Sequence, residues 1–349
     1  MTSDVQAAPT GRPGGMARAT SWRDAIRWEG GLLIVLIAVI IFGSTQSSTF
    51  LSQSTVFYAG INTGFIALMA LPMTFIVMTG EIDLSVASML GLAGSLMGFL
   101  WHHGWGIWPA MIAALVIGAL GGALNGVLVA YTALPSIAVT IGTLTLFRGG
   151  AQILLGPLTV PGVGDQQFPG GLTKIGTESI PGGALSYSTL IFIVLAIIAG
   201  IVLHATPFGR SLHAIGLQPE AASFSGIRVP WVKFWLFVAS GVICAFAGIL
   251  LTLQNASVSY TAGTGLELNV VAIVLFGGVS IFGGRGTIFG VLLAIVIFGA
   301  LQMILTQTHV EAEKQQVITG LLLLISVIVA NGGQLVARAR ARLTALRGS

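Results

Sequence analysis

Six ionisable or amide side chains stand inside long apolar runs or at their ends. They are Glu81 and Asp83 in MTGEIDLSV, Asn125 in GGALNGVLVA, Arg148 in TLTLFRGGA, and Glu267 and Asn269 in GTGLELNVV. Such groups are costly in hydrocarbon unless they are paired or face a cavity, so each marks a helix end, a bond between helices or a solute path. Asp83 and Glu267 are candidates either for the translocation pathway or for capping the first turn of a helix, whose N-terminal end is positive. Asn125 is a candidate for the pathway or for a hydrogen bond between helices, and Asn269 for the pathway or a helix cap. Arg148 either meets a solute or extends its guanidinium to the outer headgroups.

The segments Ile82-Asp83-Leu84-Ser85-Val86 and Leu266-Glu267-Leu268-Asn269-Val270 share one pattern of apolar, acid, apolar, small polar and valine. An odd number of spans between them would put one copy inside and the other outside, as an inverted duplication does. Catalytic chemistry is poorly represented. The three lysines lie in LTKIG, WVKFW and AEKQQ, so there is no GxxxxGK[ST] and no P-loop. Any ATP-driven work must borrow its ATPase. His102 and His103 are adjacent and project to different helix faces, no HExxH or GxSxG occurs, and no metal site is expected. Cys244, the single cysteine, lies in an apolar run as a packing residue.

The elements that hold these residues must be membrane helices. Charged residues make up 7% of 349, against about 25% in soluble domains, and 55% are hydrophobic. A globule coated so sparsely needs a bilayer as solvent, which excludes a cytosolic enzyme, a nucleic-acid binder and a disordered chain. Apolar runs between breakers predict ten spans, near 30–48, 56–78, 84–101, 107–131, 136–155, 188–204, 231–253, 269–282, 287–307 and 315–331. The fifth and the short eighth are candidates for broken or re-entrant segments. Residues 32–42 imitate a signal-peptide core, but further spans follow and Trp22 and Trp28 suit an uncleaved anchor.

Twelve of the fifteen Lys and Arg fall on one side of this scheme, which predicts cytoplasmic N- and C-termini. The resulting plan is a cytoplasmic tail over 1–29, a polytopic body over 30–332 and a basic cytoplasmic tail over 333–349. An outer loop, Gly156 to Tyr187, is nearly uncharged, and an inner loop, Ala205 to Pro230, could form short helices with Pro219 at a start. The 48 glycines are about twice the usual share. Gly118, Gly122 and Gly126, Gly94 with Gly98, and Gly286 with Gly290 recur at four-residue spacing as close-packing seams.

The segments MTGEIDLSVASMLGLAG, LPSIAVTIGTLTLFRGG, FGRSLHAIGLQPEAASFSGIRV and GTGLELNVVAIVLFGGVSIFGGRGTIFGVLLA, in this order, resemble signature stretches of bacterial ABC sugar-importer permeases. These are the ribose, xylose, arabinose, rhamnose and autoinducer-2 type, and the likeness runs from about residue 50 to 332. The resemblance implies an all-α integral membrane protein of about ten transmembrane helices in two inverted five-helix halves. It implies a cytoplasmic-membrane permease that pairs with itself or a sister permease, docks on a dimer of ATP-binding subunits and receives a sugar from an extracytoplasmic binding protein. It implies no cofactor on this chain, with ATP on the partner subunit. The inner loop then resembles the ATPase-coupling element, which assigns Arg210, Gly216, Glu220, Ala221 and Gly226 as coupling positions. Glu81 stands where a glycine is usual, and Gly216-Leu217-Gln218-Pro219 where Gly-Asn-Pro is usual. An ion-driven secondary transporter and a branched-chain amino-acid permease of related architecture are the alternatives.

Overall fold

The computed structural model describes residues 22–132, 134–156, 160–161, 168–180, 183, 185–311, 314–315, 317–318, 320–321 and 324. The described residues are almost wholly helical. Its elements are α1 (Trp22–Gln46), α2 (Gln53–Met78), α3 (Val86–His102), α4 (Ile107–Thr132), α5 (Ser136–Leu155), β1 (Val160–Pro161), α6 (Gly170–Thr177), α7 (Tyr187–Ala205), α8 (Pro207–Leu217), α9 (Pro219–Phe224), α10 (Val229–Asn255), β2 (Ser257–Val258), α11 (Leu266–Phe276) and α12 (Ile288–Gln307). β1 and β2 form a two-residue antiparallel ladder, Val160 opposite Val258.

Seven of the described helices are long and apolar enough to cross a bilayer, namely α1 from Trp28 onward, α2, α4, α5, α7, α10 and α12. The predicted fifth span is a continuous helix of 20 residues. At 1.5 Å per residue, α11 with 11 residues covers about 16 Å and α3 with 17 about 25 Å, both short of about 30 Å of hydrocarbon. Most of the predicted tenth span, 315–331, and the tail over 333–349 lie outside the described residues, as does much of the 156–187 loop.

The core is built around α2 and α10, which bury most of their length, with α3 and α4 packed on α10. The α4–α10 seam is made of glycine, as the spacing predicts. A Cβ at Gly118 would come within 2.6 Å of the Gly241 carbonyl, one at Gly122 within 2.9 Å of Val238 Cα, and one at Gly126 within 2.9 Å of the Phe234 carbonyl. Gly94 meets α10 in the same way, 2.7 Å from Thr252 Oγ1. The Gly286–Gly290 pairing differs from expectation. α12 starts only at Ile288, so Gly286 lies in the preceding turn, packed on Val279, while Gly290 abuts the Gly277 carbonyl at the end of α11.

The outward faces are apolar. Ile112, Val116, Leu120, Leu124, Val127 and Tyr131 are exposed along one side of α4, a stripe that water would not tolerate and lipid tails would. Trp105 and Trp108 are exposed at the α3–α4 turn, where amphipathic rings suit an interface.

Candidate functional site

Between α2 and α3 the chain does not run straight from helix to helix. Gly80, with φ +82°, closes α2 in a left-handed turn that a side chain would resist. The next residues are pinned by the first turns of α5. Ile82 N–H donates to Ser136 Oγ at 3.1 Å, and Thr140 Oγ1 donates to the Ile82 carbonyl at 3.3 Å. Asp83 is thereby held in the interior, 3% exposed. Its Oδ1 accepts from Ser85 N–H at 3.0 Å and Ser85 Oγ at 2.6 Å, and its Oδ2 accepts from Ser240 Oγ of α10 at 3.1 Å. Asn125 of α4 donates from Nδ2 to Ser85 Oγ at 2.8 Å.

The carboxylate therefore ties the start of α3 to α10, and Ser85 Oγ extends the tie to Asn125 of α4. The bond to Ser85 N–H is a local turn of the kind Asp forms two residues ahead of a helix. Asn125 Oδ1 is buried without a partner, and Cys244 Sγ lies 4.0 Å from Ser240 Oγ. Residue type alone would not single out Ser85 and Ser240, because serine is common and cheap in membrane helices. Near the same segment, Glu81 forms an ion pair with Lys233 of α10, both side chains being only 15–17% exposed. The unusual acid at position 81 thus has a dedicated cation.

A second polar site joins α5 to the segment before α11. Arg148 Nη1 donates to the Tyr260 carbonyl at 3.0 Å and the Ala262 carbonyl at 2.7 Å. Instead of reaching for headgroups, the guanidinium clamps the 256–265 turn against the bundle. Glu267 lies within electrostatic reach of Arg148, and its Oε2 is buried without a hydrogen-bond partner. Glu267 makes no capping hydrogen bond, α11 starting from Gly265 at φ +85°, but it stands in the first turn of α11, at the positive end of that helix. Asn269, two residues on, is partly buried in α11. The two pentads thus match in sequence but not in conformation. Ile82–Ser85 is held out of a helix by α5, whereas Leu266–Val270 is the first turn of one.

The inner segment consists of α8 and α9. Thr206 Oγ1 caps α8 by accepting from Gly209 N–H at 3.3 Å, with Pro207 at the first helical position. Pro219 opens α9, and Gly226, at φ +85° with nothing within 4 Å, turns the chain into α10. Arg210, Glu220, Ala221 and Gly226 are exposed, and so is the unforeseen Phe224, at 94%. Gly216 faces the other way, against the Met78 carbonyl and Gly284 N.

A family model described as the branched-chain amino acid transport system / permease component matches residues 55–327. The autoinducer 2 import system permease protein LsrC of Salmonella choleraesuis (strain SC-B67) is 32% identical over 305 residues, covering 87% of this chain and 85% of that protein. The permease protein LsrD of the same kind of system is 29% identical over 304 residues in Klebsiella pneumoniae subsp. pneumoniae, covering 87% and 91%, and 30% identical over 302 residues in Photorhabdus luminescens, covering 86% and 90%. No solved structure matches. With the matched region running from the start of α2 to beyond α12, and with apolar helices of spanning length throughout it, the chain belongs to this family of membrane transport permease components.

Proposed function

We propose that the chain is the membrane-spanning permease subunit of an ATP-binding cassette importer that brings a simple sugar of pentose, rhamnose or autoinducer-2 type across the cytoplasmic membrane. The observation that carries the reading is the α8–α9 segment. It is a helix pair between two spans, α8 capped by Thr206 and α9 opened by Pro219, which turns Arg210, Glu220, Ala221 and Phe224 outward. An exposed aromatic beside an exposed carboxylate suits a protein partner. The chain has no P-loop, so the partner is an ATPase dimer and ATP belongs to it. A second permease, a copy or a sister, completes the pore, and an extracytoplasmic binding protein supplies the sugar. Names of relatives that import autoinducer 2 favour a small polyol-like solute over a branched-chain amino acid. Ten spans in two inverted halves, with both termini in the cytoplasm, accommodate the nine apolar helices among the described residues, α3 and α11 being the short member of each half.

Glu220→Arg tests the docking. Truncating or reversing one side of a desolvated charge pair costs several kcal/mol, so the variant should reach the membrane, lose ATPase co-purification and lose ATP-driven uptake. Full uptake by Glu220→Arg, or uptake that collapses with the ion gradient instead of with ATP, would replace the reading by a secondary transporter.

A further inference from the structure

α8 has an outer and an inner face. Leu212 and Ile215 are 0% exposed and Gly209 is buried, while Arg210 is exposed. Gly216 continues the inner face at a four-residue and seven-residue spacing from Leu212 and Gly209. What it meets is backbone. A Cβ at Gly216 would run into the Met78 carbonyl, the last of α2, and into Gly284 N, and it would lie 2.8 Å from Gly284 Cα. Those two groups are bonded to each other, Gly284 N–H donating to the Met78 carbonyl at 2.8 Å. Gly283, at φ +80°, closes the same point: its Cβ would lie 2.9 Å from both Gly216 Cα and Gly80 N. One turn before Gly216, His213 Nδ1 donates to the Gly284 carbonyl at 3.2 Å. Three chain segments, the end of α2, the end of α8 and the α11–α12 turn, thus touch with no side chain between them.

The α11–α12 turn is gripped from its other side as well. Thr287 Oγ1 donates to Glu29 Oε1 at 2.6 Å, Ile288 N–H donates to His204 Nε2 at 3.4 Å, and Trp28 Nε1 donates to the Phe276 carbonyl at 3.2 Å. A flexible side chain at a contact can absorb a displacement by changing rotamer. Backbone packed on backbone cannot, and close-packed interiors transmit strain. A shift of α8 therefore moves Met78, five residues before Asp83, and Gly284, four residues before α12.

We infer that Gly216 and His213 are positioning residues for transport: they form the joint through which movement of the α8–α9 segment reaches α2 and the α11–α12 turn. This rests on the reading that α8–α9 docks an ATPase. Arg210, Glu220 and Phe224 make the outer contact, and Gly216 and His213 pass it inward.

The test uses the whole reconstituted transporter, with partner permease, ATPase and binding protein, and measures uptake of labelled D-ribose, L-rhamnose and autoinducer 2 per ATP hydrolysed. His213→Ala should keep ATPase co-purification and the melting temperature but lower uptake per ATP about tenfold. His213→Asn, whose Nδ2 can take the place of Nδ1, should restore it. Gly216→Ala should act in the same direction and more strongly; if it fails to reach the membrane, the His213 pair carries the test. Unchanged uptake per ATP in His213→Ala with the ATPase still bound defeats the joint and leaves the docking reading intact. Loss of ATPase co-purification in His213→Ala also defeats it, by making α8 part of the docking surface, and so does failure of His213→Asn to restore coupling. A wild-type chain that never co-purifies with the ATPase defeats the docking reading itself.

Discussion

Replacing Asp83 separates two roles that a buried carboxylate can have. In Asp83→Ala, Ser85 N–H, Ser85 Oγ and Ser240 Oγ lose their acceptor. Ser240 can turn its hydroxyl back to a carbonyl one turn earlier on α10, so its loss is small. Ser85 N–H cannot move, and Ser85 Oγ is held facing the lost carboxylate by the bond it accepts from Asn125 Nδ2, so both donors are stranded. At about 1–3 kcal/mol for each buried unsatisfied group, the variant should lose about 2–6 kcal/mol. Asp83→Asn keeps an oxygen for both Ser85 donors and offers Nδ2 to Ser240 Oγ, which then accepts instead of donating. It also removes a buried charge, so its cost should stay within about 1 kcal/mol. Reversible unfolding in mixed micelles, followed by tryptophan fluorescence, would measure both. An asparagine variant as unstable as the alanine one, or an alanine variant with no measurable loss, would refute the idea that this carboxylate is a hydrogen-bonded tie. Loss of transport in a stably folded Asp83→Asn would instead show that the negative charge acts in transport.

Gly122→Ala places a methyl against the Phe237 carbonyl and 2.9 Å from Val238 Cα, so it should cost about 1–3 kcal/mol in the same assay, whereas Gly142→Ala, with nothing within 4 Å, should be neutral. For the Glu81–Lys233 pair, the losses of Glu81→Gln and Lys233→Met should sum to about 1–3 kcal/mol more than the loss of the double variant; additivity would mean the pair is solvated. In a Cys244→Ser background, an impermeant thiol reagent applied outside should label Thr261→Cys and leave Ser225→Cys unlabelled, both sites being exposed. The opposite pattern would invert the proposed orientation.

The seven long spans among the described residues and the inner helix pair were legible because they depend on local properties. Twenty apolar residues specify a membrane helix wherever they occur. Glycine every fourth residue specifies a flat face, as at Gly118, Gly122 and Gly126, and Pro219 and Gly226 mark a start and a turn through their own backbone preferences. The sequence also located polar atoms at membrane depth, since each is an exception in an apolar run. Their partners are set by tertiary structure. Asp83 and Ser240 lie 157 positions apart, Glu81 and Lys233 152, and Arg148 meets carbonyls 112 and 114 residues away. No local preference encodes such pairings, which follow from how α5, α10 and the 256–265 turn come to rest against one another. The same limit explains the mismatched pentads: a repeated side-chain pattern does not repeat a conformation when Ser136 and Thr140 hold the start of one copy out of a helix. It also explains Gly216, which the resemblance grouped with the coupling positions but which the packing of α8 directs inward to Met78 and Gly284.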